Sequence, residues 1–263
     1  MNSLDVPAEL DIFDRWLVTI EARFSIQIDA NRQAAFKSAL NRYIESIGLD
    51  LESLDERRKS GRVDGETWSM LLHLATNHET RFFRSLPATQ RIVKLCEGIT
   101  SPRILSVGCS SGEEPFSIAS ALLDAGHPTF RVHGTDVSSV CISTAREGLY
   151  PRHQGVGLVA AAPTRGDKMR FHRFVREMVT FEEHNILQDR PVLLANPNIV
   201  ITQNMLIYYR TDTRYEILDR LAAMLVPGGH LITGPGETLN WSNPSMTRIP
   251  NSNPNVFQRS VDV

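Results

Sequence analysis

Hydrophobic positions in the first third of the chain recur at helical spacing. Phe13, Trp16, Leu17 and Ile20 share one helical face, and Phe36, Leu40, Ile44 and Ile47 share another that stops at Gly48, a plausible C-cap. A third run, Trp68 to Ala75, leads into Asn77. Residues 1–85 therefore read as a small helical bundle with a charged connection from Asp55 to Gly65. Within it, Arg57, Arg58, Lys59 and Arg62 read as a solvated loop rather than a binding patch. From about residue 86 the grammar changes. Ile104, Leu105 and Val107 make the short apolar run of a buried strand, residues 113–125 read as a helix, and Gly126-His127-Pro128 breaks the chain. Phe130 to Thr135 reads as a second strand ending at Asp136, with a helix from near Ser138. Further strands are expected at Val179 onward, running into Asn185, and at Ile199–Ile201, Leu231–Thr233 and Val256–Arg259, with a helix over Asp212–Leu225 and a turn at Pro227-Gly228-Gly229. Residues 150–181, including Gly155 to Pro163, have no clear period and read as a small excursion. Strands alternating with helices imply a parallel, doubly wound α/β sheet with its ligand at the strands' carboxyl ends.

Composition narrows the class. The chain has 263 residues, 41% of them hydrophobic and 22% charged, enough for a sizeable core and one or two domains. A net charge of -2 leaves no electrostatic footprint for nucleic acid. No apolar run approaches the ~20 residues that span a bilayer, and the N-terminus lacks a signal peptide's basic and apolar regions. The three cysteines, Cys96, Cys109 and Cys141, form no CxxC. Reduced thiols in the cytoplasm are expected, with no direct membrane insertion. The eight histidines show no metal-ligand spacing, so no metal is assigned.

The candidate chemistry lies between Arg103 and Ile118. A strand ends in Gly108-Cys109-Ser110-Ser111-Gly112, and Glu113-Glu114-Pro115 opens a helix. Gly108 and Gly112 permit positive φ and close approach of a ligand, and Glu113 and Glu114 suit the positive end of the helix dipole. Two carboxylates there repel a pyrophosphate, which disfavours a nicotinamide oxidoreductase, and attract a cation such as the ammonium and sulfonium of S-adenosylmethionine. Asp136, at the end of the second strand, stands where an acid holds ribose hydroxyls, and where it can also cap the following helix. Gln203, Asn204 and Tyr208 follow the strand at Ile199 on the same side of the sheet.

Taken together, Glu79-Thr-Arg-Phe-Phe-Arg84, Ser110-Ser-Gly-Glu-Glu-Pro-Phe-Ser117, Thr135-Asp136, Asn185-Ile186-Leu187 and Gln203-Asn-Met-Leu-Ile-Tyr208 resemble the chemotaxis receptor glutamate O-methyltransferases, the CheR family, over about residues 20–240. The resemblance implies a small all-α domain, 1–85, ahead of a class I S-adenosylmethionine-dependent methyltransferase domain, 86–263, with a Rossmann-like doubly wound sheet. It implies that His78, Thr80, Arg84, Glu113, Glu114, Asp136, Asn185, Ile186, Asn204 and Met205 bind S-adenosyl-L-methionine and its product S-adenosyl-L-homocysteine, and Gly108 joins them from the reading of the turn. Arg84 and Tyr208 would flank the methyl-transfer site. It implies as partner the cytoplasmic domain of a methyl-accepting chemoreceptor or a related signalling protein, docked through the second N-terminal helix. The family usually has Asn at the position of His78. That second helix keeps Lys37 and Arg42 but carries Ala39, Tyr43 and Glu45 where basic or apolar residues are usual. Phe82 and Phe83 read as packing at the domain junction. A different class of reading is a non-catalytic S-adenosylmethionine-binding module that regulates a protein partner.

Overall fold

The computed structural model describes residues 9–155, 158, 160–164 and 166–261. The chain divides into two compact units. One is built from the chain up to Asn77 together with Tyr208–Thr213, the other from His78–Ile207 and from Arg214 onward. The stretch Glu79–Arg84 thus lies in the second unit, although a boundary near residue 85 was the sequence expectation.

In the first unit, α1 (Ile12–Phe24), α2 (Ala30–Ser46), α3 (Leu51–Lys59) and α4 (Gly65–Ala75) each open on an aspartate. The carboxylates of Asp11, Asp29, Asp50 and Asp64 accept from the backbone N–H of Asp14, Asn31, Ser53 and Thr67, supplying partners that a helix start lacks. Phe13, Trp16, Ile20, Phe36, Leu40, Ile44, Leu54, Leu71 and Ala75 form the core. Helix α3 corrects the expected charged connection. Its Asp55 is only 1% exposed and is met by Arg15 at 2.9 Å, Arg58 at 2.8 Å and Lys59 at 3.3 Å. A buried carboxylate must be paired, so Arg58 and Lys59 are structural ions of a helix rather than a solvated loop. The Tyr208–Thr213 portion is strapped to the α1–α2 loop. Gln27 N–H donates to the Tyr208 carbonyl at 2.8 Å, Ile26 pairs with Tyr209 in an antiparallel bridge, and Arg210 pairs with Glu21.

The second unit carries a seven-stranded sheet. Its strands are β1 (Arg103–Val107), β2 (Arg131–Asp136), β6 (Val179–Glu183), β7 (Ile199–Thr202), β8 (His230–Thr233), β9 (Met246–Arg248) and β10 (Asn255–Arg259), in the order β6-β2-β1-β7-β8-β10-β9. The strands from β6 to β8 run parallel, and β10 is antiparallel to both β8 and β9. Ile104 lies in register with Val132 on one side and Ile199 on the other, and all three are fully buried, as a central parallel strand requires. Helices α5 (Leu86–Cys96), α6 (Glu113–Asp124), α7 (Ser139–Glu147), α8 (Arg173–Met178) and α9 (Thr211–Met224) make the connections. Sequence order reverses between β1 and β7, which makes that pair the switch point of the sheet. This is the class I S-adenosylmethionine-dependent methyltransferase fold, preceded by a small all-α unit.

The unreadable excursion is a separate antiparallel sheet of β3 (Leu149–Pro151), β5 (Lys168–Phe171) and β4 (Ala161–Pro163), with β5 in the middle. Val156, Gly157, Val159 and Arg165 of that stretch lie outside the described residues. Its inner face packs in an aromatic cluster. Phe171 stacks on Phe116 at 4.0 Å, and Tyr150 meets Phe82 edge-on at 5.0 Å. Phe82 is thereby a core residue of the second unit rather than a junction residue. Cys96, Cys109 and Cys141 are free and buried. No helix among the described residues is long and apolar enough to cross a membrane.

Candidate functional site

The site is built at the carboxyl ends of β7, β1, β2 and β6, in that spatial order. The loop after β1 turns sharply: Gly108 and Gly112 have φ of 76° and 94°, and Ser110 between them has 49°. Gly108 and Cys109 donate their N–H groups to the Thr135 carbonyl at 2.8 and 3.0 Å, which binds the loop to the end of β2. Both glycines are also closely packed. A Cβ at Gly108 would lie 2.8 Å from Met205 Cβ, and one at Gly112 would lie 2.9 Å from Ala145 Cβ and 3.0 Å from the Tyr150 hydroxyl. Tyr150 in turn donates that hydroxyl to the Ser111 carbonyl at 2.7 Å.

Asp136 ties the loop down from the next strand. One carboxylate oxygen accepts from Ser110 N–H at 2.8 Å, the other from Ser138 N–H at 2.9 Å. The cap of α7 is Ser138 itself, whose hydroxyl accepts from Cys141 N–H, so Asp136 is no helix cap. A carboxylate has about four acceptor positions, more than these backbone donors fill. Burial raises its pKa, and the two backbone donors and the nearby His78 oppose the rise.

Glu113 and Glu114 stand in the first turn of α6. Glu113 accepts from the Ser111 hydroxyl at 2.8 and 3.0 Å, and burial raises its pKa. Glu114 accepts from the Ser106 hydroxyl at 2.8 Å, and burial pushes it up to about 7, with Glu237 adding to the rise and Arg84 opposing it. Arg84 is exposed and donates to the Glu79 carbonyl at 2.7 Å. The His78 carbonyl accepts from the Ser110 hydroxyl at 3.1 Å, and half-buried Thr80 lies two residues on. At the end of β6, Asn185 accepts from Leu187 N–H at 3.0 Å through its side-chain oxygen, which leaves its amide protons for other partners, and Ile186 is buried. Beyond β7, Asn204 is exposed with φ of 60°, and Met205 lies against Gly108. The second unit therefore holds every expected cofactor residue, with Gly108, Glu113, Glu114, Asp136, Asn185, Ile186, Asn204 and Met205 following the carboxyl ends of its parallel strands. Tyr208 falls in the first unit, where the Arg32 guanidinium lies 5.1 Å from its ring centroid.

Sequence reasoning missed Glu237. It is 1% exposed, and its carboxylate reaches the loop after β7. The one signal was an acid two residues after the Gly234-Pro235 break that follows a core strand.

Chemically, the edge is rich in acid and poor in anion receptors. The Ser110 N–H is already spent on Asp136, and Glu113 and Glu114 occupy the helix start where a phosphate would lie. A ligand carrying positive charge and a diol fits this donor and acceptor set. Thr135 Oγ1, next to Asp136, is buried without a partner among the described residues. The thiols of Cys96, Cys109 and Cys141 are raised by burial, so none offers a thiolate near neutral pH.

Comparison with known proteins agrees with this geometry. Residues 78–255 match the model of a family described as CheR methyltransferase, SAM binding domain. The chain is 30% identical, over 95% of its length, to the probable biofilm formation methyltransferase WspC of Pseudomonas aeruginosa, and spans 62% of that protein. It is 25% identical, over 90% of its length, to the chemotaxis protein methyltransferase of Borreliella burgdorferi, and spans 91% of it. Chemotaxis protein methyltransferase 1 of Pseudomonas aeruginosa is 28% identical over 94% of this chain and 97% of its own length.

Proposed function

Because the chain belongs to the CheR methyltransferase family, whose S-adenosylmethionine-binding domain occupies residues 78–255, we propose that it is a protein-glutamate O-methyltransferase acting on a chemoreceptor or a related signalling protein. The observation that carries the reading is the acid-lined turn of Glu113, Glu114 and Asp136 at the switch point of the sheet. It is complementary to a cationic nucleoside and repels phosphate.

In this reading the cofactor extends across the strand ends. Asp136 accepts from the ribose hydroxyls, Glu113 and Glu114 face the ammonium, Asn185 and Ile186 flank the base, and His78, Thr80, Arg84, Gly108, Asn204 and Met205 complete the wall. Bound there, S-adenosylmethionine supplies a methyl group on a sulfonium for transfer to a carboxylate oxygen. The residues have alignment rather than proton transfer to provide, since a glutamate acceptor is ionised at neutral pH. Arg84 offers a planar fork to a carboxylate and donates to the Glu79 carbonyl. Tyr208 orients an oxygen by hydrogen bond.

The names of the relatives support an acceptor in chemosensory signalling, and a cytoplasmic location follows from such a partner. Lys37 and Arg42 on α2 are the cations left for an acidic receptor helix; each exposed contact of this kind contributes at most about 1 kcal/mol and weakens with salt. The test is to incubate the protein with methyl-labelled S-adenosylmethionine and receptor cytoplasmic fragments. Base-labile label on receptor, lost with Lys37→Glu and Arg42→Glu, is the expected result. Cofactor binding with no label on any receptor offered overturns the acceptor assignment.

A further inference from the structure

The buried carboxylate of Glu237 has no part in the chemistry above, yet it holds the site's edge. It is 1% exposed and lies where the loops after β7 and β8 approach one another. Its Oε2 accepts from Gly234 N–H at 2.8 Å and its Oε1 accepts from Leu206 N–H at 3.0 Å, while burial raises its pKa and the backbone amides of Gly234, Leu206 and Asn204 oppose the rise. Asn204 is left-handed, with φ of 60°, and the turn it makes leads to Leu206, whose amide meets the carboxylate together with that of Gly234. Converging amides of this kind make an anion-binding concavity, and here the anion is the chain's own side chain.

Room has been left for it. A Cβ on Gly234 would stand 2.4 Å from Glu237 Oε2, so a bare glycine is what lets the carboxylate reach its place. The Gly234 carbonyl accepts from Asn255 at 3.2 Å, which ties the same point to β10. We propose that Glu237 is a positioning residue for the cofactor site: its carboxylate fixes the turn that presents Asn204 and Met205 and leads into Tyr208. The proposal rests on the S-adenosylmethionine reading of those two residues. A carboxylate suits the task because both of its oxygens can accept; a glutamine in its place turns an NH₂ toward a backbone N–H and leaves at least one buried donor unpaired. Aspartate is a methylene too short to reach Gly234 and Leu206 at once.

Calorimetric titration with S-adenosylhomocysteine tests this on wild type, Glu237→Gln and Asp55→Asn. The last is a destabilised control whose mutated carboxyl lies in the first unit. Wild type should bind, Asp55→Asn should bind equally, and Glu237→Gln should bind about tenfold more weakly or worse while still folded by circular dichroism. In amide NMR spectra the Asn204 and Leu206 resonances should move and exchange faster in Glu237→Gln. Unchanged affinity with unmoved amides overturns the positioning role. Equal weakening in Asp55→Asn overturns it also, because general destabilisation would then suffice. Wild type without affinity for S-adenosylhomocysteine removes the cofactor reading itself. Should Glu237→Gln not fold, Gly234→Ala displaces the same carboxylate without deleting it and must show the same loss; wild-type affinity there defeats the proposal.

Discussion

Met205 Cβ stands 2.8 Å from the point where a side chain on Gly108 would begin. The two residues close the switch point from opposite strands, Gly108 after β1 and Met205 after β7. Gly108→Ala forces Met205 aside and holds an alanine at φ of 76°. Gly98→Ala, at φ of 80° with nothing within 4 Å of its Cβ, suffers the backbone strain alone. Gly98→Ala should cost roughly 1 to 2 kcal/mol, and Gly108→Ala should cost more and also weaken S-adenosylhomocysteine binding about tenfold or more. Thermal melts and calorimetry on the pair separate crowding from strain.

Glu114 gives the site a pH signature. Its folded pKa of about 7 lies above the ordinary carboxyl value, so between roughly pH 4.5 and 7 the folded state binds more protons than the unfolded one. Its contribution to stability is therefore greatest at low pH and declines as pH rises through 7. A cationic ligand favours the ionised form, so binding near pH 7 should release protons and tighten with pH. Calorimetry in buffers of different ionisation enthalpy measures the release, and Glu114→Gln should abolish it.

Asp136 holds the Ser110 and Ser138 amides and, in the proposed reading, the ribose as well, two duties that affinity alone cannot separate. Asp136→Asn turns an amide NH₂ toward either Ser110 or Ser138 N–H and weakens the ribose contact at the same time. Loss of about 1 to 3 kcal/mol of stability should accompany at least about tenfold weaker binding. A variant with full affinity and an unchanged melting temperature would take Asp136 out of both roles.

Arg84 and Tyr208 should behave differently. Arg84 is exposed and makes one bond to a backbone carbonyl, so Arg84→Ala should leave the melting temperature nearly unchanged while turnover falls. Tyr208→Phe keeps the ring beneath Arg32 and removes only the hydroxyl, with the same expected split. Unfolding of either variant would mark its residue as structural.

Asp55 sets the acid limit of the first unit. With Arg15, Arg58 and Lys59 around it, its folded pKa lies below the ordinary value, even though burial alone would raise it. It contributes stability that is present above the unfolded carboxyl pKa near 4 and is lost as pH falls through the depressed folded value. Asp55→Ala strands the largely buried guanidinium groups of Arg15 and Arg58, while Lys59 keeps Glu56, and should destabilise by about 3 kcal/mol or more at neutral pH, a gap that closes in acid melts.

Much of this was readable from residues. The central strands announced themselves because Ile104, Leu105, Ile199 and Val200 are buried on both faces and need no polar alternation. Helix α3 stayed hidden because its buried face is Leu54 and Asp55: an acid at a core position breaks the hydrophobic period that reveals a helix. Helix α5 was missed where Leu86-Pro87 opens it without a side-chain cap. The small sheet showed no period of its own because β3 and β4 have three residues each, too few to show alternation, and only the family resemblance implies a three-stranded sheet between Tyr150 and Phe181. Among site residues, Asp136 and the two glutamates of α6 lie beside sharp backbone signals. Glu237 acts across sequence on Asn204 and Leu206, and long-range contacts of that kind leave no local pattern.

The return of Tyr208–Thr213 to the first unit bears on how the protein is made. The α1–α2 loop with the helix ends beside it receives the Ile26 bridge to Tyr209, the Gln27 bond to Tyr208, the Arg32 stacking and the Glu21 ion pair from a segment far downstream. On the ribosome, the four-helix portion is therefore synthesised long before it can be completed. β1, β2, β6 and β7 must emerge first, so the N-terminal unit waits, unfinished at one edge, until residue 213 has cleared the exit tunnel.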